Sequence, residues 1–130
     1  MFLAHTFHTL PSQAKVAEVE TVDGLYEFTT EIAMLANCRH PNITAFLAAY
    51  YHAKQLWIII EKCSGGALQD LLKKNERGMN ETEVAIAAAQ LVHAITFLHA
   101  KSIIHRDLNA ANVLLSGEGN IKIADFGVSK

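Results

Sequence analysis

The chain has 130 residues, 51% of them hydrophobic and 18% charged, with a formal net charge of −2 at neutral pH. That size and balance suit one globular domain with a real core and exclude a disordered chain. They also offer no basic field, so nucleic acid and anionic membrane surfaces are not expected partners.

The opening MFLAHTFHTL is mildly apolar, but His and Thr interrupt it and no charged segment precedes it, so a signal peptide is not expected. SQAKVAEV (12–19) follows Pro11 and mixes small and β-branched residues, which predicts a strand. Residues 22–38 place Leu25, Phe28, Ile32 and Leu35 on one helical face, with Asp23 available as N-cap. HPNI breaks that helix, because Pro41 disfavours helical geometry at His40. ITAFLAAYY (43–51) and QLWIIIE (55–61) read as two strands around the polar turn HAK. The longest apolar run, LWIII, is too short to span a bilayer, so no membrane insertion is expected. Cys38 and Cys63 fit neither a CxxC pair nor a disulfide framework, which points to a reducing, cytoplasmic setting.

SGG (64–66) is a flexible joint before a short helix over 67–74. Asn80 and Glu83 make a capping-box pair for the next helix, where Val84, Ala88, Leu91, Ile95 and Leu98 form an apolar stripe suited to core packing. SII (102–104) predicts a tiny strand, then a loop runs from His105 to Asn112. VLL and IKI flank SGEGN, a hairpin signal. Strands segregated from helices suggest an α+β fold.

The chemistry concentrates in the hairpin and its entrance. Asp107 opens the loop, Asn112 stands at the hairpin's start, and Asp125 leaves its second strand. Taken singly these are ordinary turn residues. Folded back by the hairpin, Asn112 and Asp125 become two hard oxygen ligands, as a Mg²⁺–phosphate site needs. Asp107 is then a third group, able to accept a proton from an incoming hydroxyl.

The combination HRDLNAANVLL followed by IKIADFG resembles the catalytic loop and metal-binding motif of protein kinases. EIAMLANCRHPNI, LWIIIEKCSGGAL and FLHAKSIIHRDL are similar to the helix C, hinge and helix E regions of serine/threonine kinases. The wording is similar to the STE group, in the germinal-centre-like branch of SLK and lymphocyte-oriented kinases. The resemblance covers residues 12–130 and implies part of a two-lobed kinase fold. Residues 1–61 would belong to the N-lobe, 62–66 to the hinge and 67–130 to the start of the C-lobe.

The resemblance also implies roles. Asp107 would orient and deprotonate the hydroxyl of a protein Ser or Thr. Asn112 and Asp125 would hold Mg²⁺. Arg106 would hold a phosphorylated activation loop. Lys15 matches the strand lysine that contacts the α- and β-phosphates of ATP, with Glu31 as its ion-pair partner. Ile60 matches the gatekeeper. Backbone groups of Glu61 and Cys63 would bind adenine, and Leu114 would pack beneath it. Leu35, Phe46, His105 and Phe126 match the apolar column of an active kinase. A metal-dependent phosphatase or nuclease could use similar ligands, but not these spacings.

Departures from the pattern set an alternative, a catalytically impaired kinase-like binding or regulatory module. No G-x-G-x-x-G precedes Lys15, and the sequence stops three residues past Gly127, without an Ala-Pro-Glu motif. Gln13 stands where the family usually has Ala above the adenine. Asn109 replaces a lysine that would place positive charge on the transferring phosphoryl group. Losing one such stabiliser costs on the order of 3 kcal/mol, by analogy with oxyanion-hole donors.

Overall fold

The structure, a computed structural model, describes residues 12–125. Three strands, β1 (Ser12–Glu18), β2 (Phe46–His52) and β3 (Gln55–Glu61), form one antiparallel sheet in the order β1-β3-β2. The alternation in β3 makes the sheet two-faced: Leu56 and Ile58 are buried, while Trp57 between them is exposed. Helix α1 (Val22–Asn37) packs on the buried face through Phe28, Ile32 and Leu35. Its N-cap is Thr21, not Asp23: the Thr21 hydroxyl accepts from the Gly24 N–H at 3.1 Å. Thr21 has the extended backbone that a cap requires, and Asp23 already lies in the first turn.

A second sheet follows, with β4 (Gly66–Ala67), β5 (Val113–Leu115) and β6 (Ile121–Ile123) in the order β4-β5-β6. The hairpin β5–β6 is the predicted one. The supposed joint at 64–66 is instead partly strand, because Gly65 and Gly66 pair with Leu115. Gly65 permits this contact: a Cβ there would sit 2.7 Å from the Leu115 Cβ and 2.9 Å from its carbonyl oxygen. Helix α2 (Leu68–Lys74) buries no residue.

Helix α3 (Glu81–Ala100) begins with the expected capping box, Asn80 and Glu83 bonding reciprocally at 2.9 Å. Its buried line differs from the predicted stripe. Ala87, Ala94 and Leu98 are buried and Leu91 and Ile95 partly so, whereas Val84 and Ala88 are exposed. The reason is close packing on the hairpin, where the small Ala87 sits against Val113 and Ile121. By length and composition α3 is apolar enough to cross a membrane, which a search for unbroken apolar runs overlooks. Its packing is that of a core helix: Leu98 is 1% exposed, and the Gln90 side-chain oxygen accepts from Asn42 and from the Ile121 N–H. The strand expected at 102–104 does not form. Ser102 takes a left-handed φ of 60°, and the Ile103 N–H closes α3 by donating to the Leu98 carbonyl.

One core joins the two sheets, with Val19, Leu35, Ile43, Leu56 and Ile58 packed with Leu98 and Ile123. The seam is stitched by backbone: Ile43 bridges Ile123, the Thr44 N–H donates to the Ile123 carbonyl at 3.0 Å, and the Ile123 N–H donates to the Asn42 carbonyl at 2.8 Å. Buried Asn42 also donates its side-chain amide to the Ile121 carbonyl at 2.9 Å. The short hairpin is thereby held against the upper sheet, and Asp125 leaves it at a fixed place.

Candidate active site

Strand β1 carries Lys15 in register with Ile58. The Lys15 ammonium reaches Asp125 Oδ1 at 3.2 Å, with both side chains about half exposed (54% and 50%). The pair lines a cavity of about 290 Å³ between the sheets. Ala14, Ile58, Ile60 and Leu114 are among its other walls, so the slot is mainly apolar.

The loop after α3 is built on His105. Its ring is buried, with Nε2 2.8 Å from the Ala124 carbonyl and Nδ1 accepting the Asp107 N–H at 3.3 Å. Both contacts are satisfied at once by the tautomer protonated on Nε2. Asn112 donates its side-chain amide to Asp107 Oδ2 at 3.0 Å and to the Asp107 carbonyl at 2.8 Å. The Asn112 carbonyl accepts from the Ala124 N–H at 2.9 Å, which brings the start of the Asp125 segment back to the loop. Arg106 and Asp125 both have left-handed backbones, with φ of 68° and 61°. Such conformations at non-glycine residues persist where surroundings over-determine them, commonly at functional sites.

At the far edge of the cleft, Glu61 Oε2 accepts from the Ala45 N–H at 3.1 Å and pairs with Lys122 Nζ at 3.0 Å. Burial pushes the thiol of neighbouring Cys63 above its ordinary pKa; the Glu61 carboxylate adds to this and Lys122 opposes it. Such a thiol is a packing group, not a nucleophile.

Comparison with known proteins agrees with this geometry. The protein kinase domain family matches residues 12–130. The chain belongs to the protein kinase family. It is 47% identical over 116 residues to human serine/threonine-protein kinase 10, covering 89% of this chain and 12% of that protein. It is 37% identical over 115 residues to human mitogen-activated protein kinase kinase kinase kinase 3, covering 88% of this chain and 13% of that protein. Against serine/threonine-protein kinase dst1 of Dictyostelium discoideum, identity is 36% over 115 residues, with 88% and 16% covered. The chain thus spans between an eighth and a sixth of the length of these curated relatives.

Of the kinase residues expected from sequence, Lys15, Leu114 and Asp125 line one cavity, with Ile60 and Gln13 beside them. Asp107 and Asn112 meet in the loop. Glu61 and Cys63 do not line that cavity: the Glu61 N–H is engaged by the Ala45 carbonyl, and the Cys63 carbonyl accepts from Gly66. Lys15 meets Asp125; the side chain of its expected partner Glu31, a residue of α1, falls outside the described residues. Phe126 also lies outside them; of its expected column partners, Leu35 is in the core cluster, Phe46 packs against that cluster, and His105 is buried. Among the described residues no three His, Cys, Asp or Glu side chains converge on a metal position. The oxygen donors that the kinase pattern names are the Asp125 carboxylate and the Asn112 side-chain amide. Sequence reasoning missed Lys122, though its charge between the buried Ile121 and Ile123 was a signal.

Proposed function

We propose that this chain is the nucleotide- and metal-binding part of a serine/threonine protein kinase, which transfers the γ-phosphoryl group of ATP to a Ser or Thr hydroxyl of a protein. The observation that carries this reading is the Lys15–Asp125 pair in the lining of a mainly apolar slot that also includes Leu114. An apolar slot suits a base, and an ammonium beside a carboxylate suits a metal-bound phosphate. In this reading Lys15 holds the phosphates and Leu114 supports adenine. Glu31 braces Lys15.

The donor set fits Mg²⁺. Asn112 has its amide nitrogen engaged by Asp107, so its oxygen is the atom left for a cation. Asp125 supplies the carboxylate. Magnesium takes few protein oxygens and keeps water and phosphate on its other positions. Bound there, it would supply charge neutralisation on the phosphates. Asp107, fixed by its neighbours, would orient the substrate hydroxyl and accept its proton. The alternative of a non-catalytic module draws no support from these residues. The free thiols Cys38 and Cys63 support a reducing, cytoplasmic setting as part of the same reading.

The test is a thermal shift of the intact protein with Mg·ATP, followed by phosphoryl transfer to a protein substrate. Mg·ATP raises the melting temperature, as any ligand of the folded state does. Asp125→Ala abolishes the shift that depends on Mg²⁺, and Asp107→Asn removes transfer while leaving the shift. A shift that survives Asp125→Ala would sink the metal assignment.

A further inference from the structure

Asn109 is one of the places where the sequence departs from the kinase pattern, and it makes more hydrogen bonds than an idle surface amide would. Its Nδ2 donates to Asp107 Oδ1 at 3.0 Å and to the Asp107 carbonyl at 3.2 Å. Its Oδ1 accepts from the backbone N–H of Ala111 at 2.9 Å and of Asn112 at 3.2 Å. Asn112 holds the other carboxylate oxygen, Asp107 Oδ2, at 3.0 Å. Each oxygen of the Asp107 carboxylate therefore has its own amide donor. The terminal torsion of an aspartate is otherwise broad, so two donors on opposite oxygens define the plane of the carboxylate. Each oxygen keeps a further lone pair for an incoming hydroxyl.

We propose that Asn109 is a positioning residue for Asp107, clamping the carboxylate that receives the substrate proton and tying it to the backbone of Asn112. The proposal rests on the kinase reading above. A lysine in this place could not act the same way, because an ammonium has no acceptor for the Ala111 and Asn112 N–H groups. Asn109 is thus more than an absent charge. It replaces a mobile cation by a short two-way brace.

Three readouts test this in the intact protein. Asn109→Ala lowers kcat about tenfold to a hundredfold, the range for losing a hydrogen bond to a charged group, while KM for Mg·ATP stays at the wild-type value. Asn109→Asp keeps an acceptor for the Ala111 and Asn112 N–H groups, so the turn is retained, but it sets a second carboxylate against Asp107 Oδ1. It has no N–H for Asp107, so kcat still falls. Wild-type kcat in either variant overturns the proposal, and so does a fall in kcat matched by a rise in KM, which would signal a distorted nucleotide site. The third readout needs no turnover. With ¹⁵N-labelled asparagine, the Asn109 side-chain amide resonance moves on Asp107→Ala; a resonance indifferent to that change overturns the clamp. A wild-type protein that transfers no phosphoryl group would defeat the kinase reading, and the resonance would still decide the clamp.

Discussion

Replacing Lys122 by Met removes one charge from a pair that is almost dry. Lys122 and Glu61 are 13% and 19% exposed at the side chain, with Nζ and Oε2 3.0 Å apart. Methionine keeps most of the aliphatic stem, so the packing around it is largely retained. Glu61 then keeps only the Ala45 N–H as a partner on Oε2. Breaking a fully buried pair costs about 3–5 kcal/mol; the residual exposure admits some water, so about 2–3 kcal/mol is expected here. Urea unfolding followed by circular dichroism measures this as a lower midpoint, about 1 M for a chain of this size. A double-mutant cycle with Glu61→Gln isolates the pair, with an expected coupling of about 1–2 kcal/mol. The Arg77–Glu83 pair is the internal control. Arg77 and Glu83 are 62% and 40% exposed, so Arg77→Met should change little. A Lys122–Glu61 coupling under about 0.5 kcal/mol would refute the reasoning, because that is the scatter of independent sites.

Leu98→Ala should cost about 2–5 kcal/mol in the same assay, since Leu98 is 1% exposed in the core that joins both sheets. Gly65→Ala should lower the melting temperature, because the new methyl would meet the Leu115 carbonyl at 2.9 Å and the backbone there is tied by the Gly65 N–H bond. An unchanged melting temperature would mean that β4 is dispensable. Stability should also fall on acidification through His40. Burial, then His93 and Lys122, hold its pKa below the ordinary value of 6.5, and its Nδ1 accepts from the Asn42 N–H. The folded state then binds fewer protons than the unfolded one, so this contribution is whole above pH 6.5 and is lost as pH falls through the lowered folded value. The stability gap between wild type and His40→Gln should shrink between pH 7.5 and 5.5.

Most elements were legible because their signals are local. The capping box at Asn80 and Glu83, the break at Pro41 and the β5–β6 hairpin each rest on a few adjacent residues. Apart from the α1 N-cap, which is Thr21 where Asp23 was expected, the errors came from contacts between distant segments. The buried line of α3 runs through Ala87 and Ala94 because the hairpin approaches there, and no periodicity of large apolar residues could show it. The Ser102–Ile104 stretch has β-branched residues but no neighbouring strand, so propensity had nothing to pair with. At the site, motif spacing located Asp107, Asn112 and Asp125. It could not show that Lys15 rests on Asp125, since 110 residues separate them. Nor could it show that Asn109 is engaged, because an amide's partners depend on how the loop turns.

The ties between the two sheets fall into two kinds, and the difference bears on function. At the back, Glu61–Lys122, Thr44–Ile123 and Asn42–Ile121 are buried or nearly so. Breaking any of them leaves a polar group without water, so they tie the two sheets together firmly on that side. At the front, the Lys15–Asp125 pair is half exposed, and pairs of that kind contribute only about 0–1 kcal/mol. On the proposed kinase reading, a nucleotide phosphate and a cation would separate Lys15 from Asp125 at little cost in ion-pair energy. Asp125 is also held at a left-handed φ of 61°, which keeps its carboxylate at the cleft mouth before any ligand arrives. The same carboxylate would pass from an ammonium to a metal without rebuilding the backbone around it.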